Sequence, residues 1–284
     1  MRTKQYQQAD SLLESLVPGN PSPGQLYSRM GKLYFDHDEW ARAQHYFEKS
    51  LALHDDNDQA HLLLGLADRE LSQPGQAEKE FMKAASLNPQ SDVNAYFAGQ
   101  QLLLDMQFEA ALPYLYEAVK LNPRNASAYR AIGMTQVHLG NYPLAESYYR
   151  KAIGALEGSN SADPAAYLDL AFILMLGHDP AKIEEALKMG RRAVELQPDS
   201  SDAHYLIGKA LMKLGRVKEA VPELEFAAKH NPQDSKAHFQ LALAYESLGE
   251  KDKAAAERQA LAKTKQRADQ QGMASGSVMP QSGP

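Results

Sequence analysis

The sequence predicts an all-α fold, an α-solenoid of antiparallel helix pairs, and three repeating features support this prediction. A marker alanine recurs at steps of 34 residues with one step of 41, at Ala9, Ala43, Ala77, Ala111, Ala145, Ala186, Ala220 and Ala254. A small residue lies twelve positions before most marker alanines and a bulky one four positions after, as Gly31 and Phe47 do around Ala43. A proline follows five of these alanines at a distance of twelve, as Pro89 follows Ala77. A period of this length is typical of stacked repeats rather than of a single globular core.

Each repeat is predicted to be a pair of helices, which we call helix A and helix B. The marker alanine, the bulky residue four positions later and a small residue seven positions later are spaced to lie on one face of helix B. The small residue twelve positions upstream lies on helix A. Small residues on facing helices let the two backbones approach closely, while the bulky residue fills the groove between them.

The helix boundaries are marked by capping residues. Six side chains that favour the N-cap precede a predicted helix A, namely Asn57, Ser91, Asn125, Asp163, Ser200 and Asp234. Glycines that suit a left-handed C-cap end helix A at Gly140, Gly215 and Gly249. The predicted repeats span residues 24–57, 58–91, 92–125, 126–163, 164–200, 201–234 and 235–263.

The two ends of the chain differ from the interior repeats. Residues 1–23 form a helix-B-like segment and a turn with no helix A before them, which we interpret as a cap with a polar outer face. The alternative is that the chain was cut or that its start was placed too late. Leu16 and Leu261 stand where the interior repeats have a small residue, as expected of terminal units. Residues 264–284 are rich in Gln, Ser, Gly and Pro and are predicted to be a disordered tail.

The pattern resembles the tetratricopeptide repeat family: small at position eight, alanine at twenty, bulky at twenty-four, small at twenty-seven and proline at thirty-two. The resemblance covers residues 4–263 and departs from the family pattern by extra residues in segments 154–163 and 177–180, which we interpret as longer loops. It implies a right-handed superhelix with a concave surface lined by helix A, through positions two, five, nine and twelve. Proteins of this family bind other proteins or peptides on that surface.

The composition excludes several classes of protein. The chain has 284 residues, a net charge of -6 and no cysteine. Its Lys and Arg residues are scattered, so the footprint of a nucleic-acid binder is missing, and no apolar segment is long enough to insert into a membrane. Disulfides and thiolate metal sites are excluded. We expect a soluble protein, either cytoplasmic or, if the N-terminus was processed or misassigned, periplasmic or secreted.

The partner-binding site is predicted on the concave side of helix A. The family positions five and nine there carry mostly apolar groups and two cations, and the candidate residues are Leu62, Leu66, Tyr96, Arg130, Met134, Leu168, Phe172, Tyr205, Lys209 and Phe239. Exposed aromatic and apolar side chains are typical of binding hot spots. Position twelve, as at Met175, could instead pack only against the neighbouring helix.

No catalytic residue, cofactor site or metal site is predicted. His61, His204 and His238 share the fourth position of different repeats, which favours a packing role, and His54 and His230 fall where an imidazole meets the end of a helix dipole. Position six lacks the asparagine that the chaperone-tail-binding subclass of the family uses. The sequence therefore favours a non-catalytic scaffold or adaptor for a protein or peptide. The alternatives are a self-assembling homo-oligomer and a regulatory part of a larger enzyme or of an envelope or secretion assembly.

Overall fold

The computed structural model describes residues 2–54, 56–157 and 163–276. Within these ranges it has fifteen α-helices and no β-strand. The chain divides into two compact units, residues 1–155 and residues 156–284.

The helices are numbered in chain order. The first unit contains α1 (Arg2–Ser15), α2 (Pro23–Phe35), α3 (Trp40–Leu53), α4 (Asp58–Glu70), α5 (Pro74–Leu87), α6 (Asp92–Leu104), α7 (Phe108–Leu121), α8 (Ala126–His138) and α9 (Tyr142–Leu156), the last ending at the unit boundary. The second unit contains α10 (Pro164–Leu174), α11 (Pro180–Leu196), α12 (Ser201–Lys213), α13 (Val217–His230), α14 (Ser235–Ser247) and α15 (Lys251–Gly276).

Successive helices pack as the predicted A and B pairs. In the first unit α2 packs on α3, α4 on α5 and α6 on α7, and Gly133 of α8 lies against Tyr149 of α9. In the second unit α10 packs on α11, α12 on α13 and α14 on α15. The predicted all-α fold of stacked helix pairs is therefore confirmed within each unit.

The marker alanines lie in the tightest part of these pairs. Five of them have no solvent exposure, namely Ala43, Ala77, Ala111, Ala145 and Ala220. The small residue of helix A lies beneath the bulky residue of helix B, so that a Cβ atom on Gly31 would stand 2.7 Å from Cδ1 of Phe47. No side chain fits at such a position without moving its neighbour, which explains why glycine recurs there.

All six predicted N-caps are confirmed. The side chains of Asn57, Ser91, Asn125, Asp163, Ser200 and Asp234 each accept a hydrogen bond from a backbone N–H in the first turn of the next helix. The predicted left-handed residues Gly140, Gly215 and Gly249 have φ angles of 77°, 73° and 78°. The equivalent turns of the first three repeats hold Asp38, Ser72 and Met106 at φ angles of 59°, 60° and 58°, which the sequence did not reveal.

Two sequence-based expectations need correction. The extra residues near 177–180 lengthen a helix rather than only a loop: α11 has 17 residues where α5 and α7 have 14. It starts early because Pro180 suits the first helical position and Asp179 accepts a hydrogen bond from the Ala181 N–H. The other predicted insertion, 154–163, falls partly on residues 158–162, outside the described ranges.

The second correction concerns the C-terminal segment. Disorder was expected from residue 264, whereas α15 continues through Gly276. The stretch after Lys263 still contains Lys, Arg, Gln and Ala, which are good helix formers, so its composition suits a continued helix. Residues 277–284 lie outside the described ranges.

Helix α1, the predicted cap, makes polar contacts with α2 and α3. The carboxylate of Asp10 accepts hydrogen bonds from the Tyr34 hydroxyl at 2.5 Å, the Tyr46 hydroxyl at 2.9 Å and Arg42 Nη1 at 2.6 Å. One turn later, Glu14 accepts a hydrogen bond from Lys49 Nζ at 2.5 Å. These two acids fix α1 on α2 and α3.

Candidate functional site

The A helices form one side of each unit, and the candidate residues lie on that side. In the first unit α4 contacts α6, and α6 contacts α8; in the second, α12 contacts both α10 and α14. We call the first set of candidate residues the first-unit face: Leu62, Leu66, Tyr96, Arg130 and Met134. We call the second set the second-unit face: Leu168, Phe172, Tyr205, Lys209 and Phe239. None of the ten is buried.

Part of the first-unit face is shared with the core. Leu62 and Leu66 are half-buried because they pack against a cluster of Ala77, Phe81 and Ala98. Only their outer edges are open to a ligand. Met134 on α8, by contrast, is 37% exposed. The α8 end of this face is therefore more accessible than the α4 end.

A hydrogen-bond chain orients the aromatic centre of the first-unit face. Arg69 Nη1 donates to Gln100 Oε1 at 2.9 Å, and Gln100 Nε2 donates to the Tyr96 hydroxyl at 2.6 Å. The Arg69 guanidinium also lies 5.5 Å from the ring centroid of Phe97. Because its hydroxyl is fixed in this way, Tyr96 presents its ring in one orientation, which lowers the entropy cost of binding.

The aromatic side chains Phe172 and Phe239 of the second-unit face are more exposed than Tyr96 of the first-unit face. Phe172 on α10 is 43% exposed and Phe239 on α14 is 48% exposed, while Leu168, Tyr205 and Lys209 are half-buried. Met175, at position twelve, is buried and therefore belongs to the core rather than to the face.

Helices α12 and α14 carry three lysines, namely Lys209, Lys213 and Lys236. Burial lowers the pKa of Lys209, and the positive charges of Lys213 and Lys236 lower it further. Lys209 Nζ lies 5.9 Å from the ring centroid of Tyr205. Burial and the nearby carboxylate of Asp234 raise the pKa of Tyr205, so its hydroxyl stays neutral and can donate a hydrogen bond.

Lys213 stabilises the turn that follows α10. Its ammonium donates hydrogen bonds to the backbone carbonyls of Met175 at 2.9 Å and Gly177 at 3.0 Å. These carbonyls lie just beyond the end of α10, where helix geometry leaves carbonyl groups without partners. Lys213 therefore joins α12 to the turn after α10, although its charge still acts on Lys209.

A surface pocket adjoins the lysines. It has a volume of about 230 Å³ and is lined by Tyr205, Ser235, Lys236, Phe239 and Leu261. Leu261 was interpreted from the sequence only as a sign of a terminal repeat. In the structure it lines this pocket together with Phe239 of α14 and Tyr205 of α12.

The three histidines at position four each contact a glutamate of their own repeat. Nδ1 of His61 lies 2.5 Å from Glu80 Oε2, and the equivalent distances for His204 with Glu223 and His238 with Glu257 are 2.6 Å. In His204 and His238, Nε2 also contacts the backbone carbonyl of a preceding proline. These contacts join helix A to helix B of the same repeat. In His204 and His238 they also join helix A to the turn that precedes it. Among the described residues no group of three His, Asp or Glu side chains could hold a metal ion.

A search of the described helices for a membrane-spanning segment found none of sufficient length and apolarity.

Stacked helix pairs with aromatic and apolar side chains exposed on helix A define the class of helical-repeat interaction proteins. A family model described as tetratricopeptide repeat matches residues 28–92, 106–169, 181–225 and 205–271. The chain belongs to the tetratricopeptide repeat family. Repeats of this family generally mediate protein–protein interactions.

Curated relatives are similar over only part of their length. The anaphase-promoting complex subunit CDC16 of Saccharomyces cerevisiae is 25% identical over 196 residues, which are 67% of this chain and 23% of that protein. The protein O-mannosyl-transferase TMTC3 of Homo sapiens is 26% identical over 150 residues, 49% of this chain and 16% of that protein. The chain thus spans a quarter or less of the length of these two relatives.

Among solved structures, the fold resembles that of YrrB, described as a tetratricopeptide repeat protein with an unusual peptide-binding site. The TM-score is 0.54 at 22% identity, covering 65% of this chain and 91% of that one. At this identity the likeness shows the fold alone.

Proposed function

We propose that this chain is a non-catalytic scaffold or adaptor that binds a peptide or a helix of a partner protein on the A-helix faces of its two units. Tyr96 and Arg130 act on the first-unit face, and Phe172, Tyr205 and Lys209 act on the second-unit face. The partner is a protein or peptide, and no nucleic acid, cofactor or metal ion takes part.

The observation that carries this proposal is the exposure of large aromatic side chains on helix A. Phe172 and Phe239 are among the most exposed large apolar groups of the second unit, although both belong to well-packed helices. A polar residue at either position would lose no packing on the exposed side. An exposed aromatic group on a rigid helix is the kind of residue that dominates binding energy at interfaces.

The geometry favours binding without rearrangement of the side chains on these faces. Tyr96 is oriented by the Gln100 amide and Lys209 by the ring of Tyr205. Both faces are therefore preorganised, so little side-chain entropy is lost when a partner binds. Of its structural relatives, YrrB is described as having a peptide-binding site, which agrees with this use of the fold.

The test is affinity capture from a lysate of the source organism with three forms of the chain: the native form, a face variant and a control variant. The face variant is Tyr96→Ser/Phe172→Ser/Tyr205→Ser. The control variant, Met82→Ser/Tyr142→Ser/Leu144→Ser, changes three exposed apolar residues of B helices.

We expect proteins captured by the native and control chains to be lost from the face variant, while circular dichroism shows that all three chains are equally helical. An identical set of captured proteins with all three chains would contradict the proposal. Loss from the control variant alone would assign binding to the B helices and would also contradict it.

A further inference from the structure

Lys209 of the second-unit face and the neighbouring Lys236 carry positive charge that no carboxylate among the described residues pairs with. Within the described ranges, the ammonium groups of Lys209 and Lys236 form no ion pair, and Lys213 is committed to the carbonyls of Met175 and Gly177. Lys209 and Lys213 are one helical turn apart on α12, and Lys236 lines the same pocket as Tyr205, whose ring centroid lies 5.9 Å from Lys209 Nζ. A surface with like charges held together is stabilised by a bound anion.

The carboxylate of Asp234, two residues before Lys236, is already used. The Asp234 side chain accepts a hydrogen bond of 2.9 Å from the backbone N–H of Lys236 as the N-cap of α14. Its charge raises the pKa of Tyr205, but it forms no ion pair with the ammonium group of Lys209 or Lys236. The charge of the lysines therefore remains available to a ligand.

The same residues lead directly into the apolar pocket. Lys236 lines the pocket together with Phe239 and Leu261, and Tyr205 lines it while lying beneath Lys209. An acidic group between the two lysines would thus be next to an apolar group in the pocket. The two parts of the ligand must be neighbours in space.

We propose, on the basis of the proposed function, that the second-unit face binds a protein segment that has an acidic side chain beside a large apolar one. The carboxylate lies between Lys209 and Lys236, and the apolar side chain enters the pocket beside Phe239. In an extended segment the two side chains are two positions apart, and in a helical one three or four, because those spacings place side chains on one side of the backbone.

The test selects peptides from a phage-displayed library of random dodecapeptides on the immobilised full-length chain. We expect the enriched peptides to share Asp or Glu at a spacing of two, three or four from a Leu, Ile, Met or aromatic residue. The most enriched peptide is then synthesised with a fluorescein label and titrated by fluorescence anisotropy.

Three comparisons measure the role of the charges. The Lys209→Gln/Lys236→Gln chain is expected to bind the labelled peptide at least about tenfold more weakly than the native chain. The peptide with its acidic residue changed to the amide should lose affinity by a similar factor. Combining the two changes should add little further loss, because both remove the same interaction. A Lys229→Gln chain, altered at an exposed position of α13, serves as the matched control and should bind like the native chain.

The outcomes separate this inference from the proposed function. Enriched peptides without acidic residues, whose binding is lost with Phe172→Ser/Tyr205→Ser, would overturn the charge preference but leave the peptide-binding face in place. Equal binding of the acidic and amide peptides would overturn it as well. If no enriched peptide depends on either face, both proposals are overturned.

Discussion

Gly133 lies directly beneath the ring of Tyr149, so closely that a Cβ atom on residue 133 would stand 2.5 Å from Cε1 of the tyrosine. The same relationship, between a glycine of helix A and a bulky residue sixteen positions later, recurs in four other repeats: Gly31 with Phe47, Gly65 with Phe81, Gly99 with Leu115 and Gly208 with Leu224. The glycine sets how closely the two helices of a repeat approach. It thereby sets where the face of helix A lies.

Gly133→Ala is expected to destabilise the first unit. The added methyl group must displace the Tyr149 ring, and overpacking of this kind costs about 1–3 kcal/mol, partly offset by the better helix propensity of alanine. Urea denaturation followed by circular dichroism measures the change. Gly154→Ala is the matched control, since nothing lies within 4 Å of a Cβ there. It should leave stability unchanged or raise it by up to about 1 kcal/mol, and a stability loss equal to that of Gly133→Ala would contradict this account.

Met106→Gly is expected to stabilise the chain. Met106 has a φ of 58° and a side chain that is 76% exposed. Its left-handed backbone is therefore strained, and its side chain makes little packing contact that would offset the strain. Glycine relieves this strain, and the gain should be up to about 1 kcal/mol after its own backbone entropy is counted. The equivalent turn already uses Gly140 at φ 77°, where Gly140→Ala should lower the midpoint of thermal unfolding. A lower midpoint for Met106→Gly would show that the methionine side chain stabilises the turn.

Asp68 is expected to make stability depend on pH. It is 2% exposed, and burial raises its pKa from 3.8 to about 6, although a hydrogen bond of 2.7 Å from Gln44 Nε2 acts in the opposite direction. Because the pKa in the folded state is higher than in the unfolded state, the folded chain binds the proton more tightly. The resulting stabilisation is present below pH 3.8 and is lost as the pH rises through 6, a change of about 2–3 kcal/mol.

The check on Asp68 is Asp68→Asn, which keeps an oxygen to accept the Gln44 hydrogen bond but cannot ionise. Urea midpoints between pH 4 and pH 7 should vary less in this variant than in the native chain, and its stability at pH 7 should be higher. Asp56→Asn, at an exposed turn position, should retain the native pH dependence. If Asp68→Asn and the native chain had parallel pH profiles, the assigned role of Asp68 would be wrong.

Asp10→Ala is expected to loosen α1 without unfolding the rest of the first unit. It removes the acceptor for Tyr34, Tyr46 and Arg42, but the ion pair with Arg42 is partly exposed and contributes little by itself. A net loss of about 1 kcal/mol would make amide exchange in α1 about fivefold faster. Hydrogen–deuterium exchange with mass spectrometry measures this, with Gln8→Ala as an exposed control in the same helix. Unchanged exchange in α1 would mean that the Asp10 contacts do not hold the cap.

The helix pairs and their caps could be predicted from the sequence because both depend on local chemistry. Asn57 and Ser200 are N-caps in the structure for the reason that they were expected to be: each side chain accepts a hydrogen bond from the amide three residues ahead. The contact between Gly31 and Phe47 follows from the repeat pattern. Within each repeat, the small residue of helix A and the bulky residue of helix B lie on the facing sides of the pair. The left-handed turn at Met106 carries no such sign, because methionine has no preference for that conformation.

The details of the candidate site were less predictable because they depend on contacts between repeats. No sequence pattern indicates the contacts of Lys213, whose ammonium binds the carbonyls at the end of α10, 36–38 positions away. Met175 was left open between groove and core, and only packing places it in the core. The role of Leu261 in the pocket depends on its lying near Tyr205 of the preceding repeat, a contact that no local pattern describes.

The central claim is that partners bind to the A helices, and the hydrogen-exchange footprint of a selected peptide on the full-length chain tests it most directly. We expect slower amide exchange in α10, α12 and α14, centred on Phe172, Tyr205 and Phe239, and no change in α11 and α13. Protection of α11 and α13 with unchanged exchange in α10, α12 and α14 would contradict the claim.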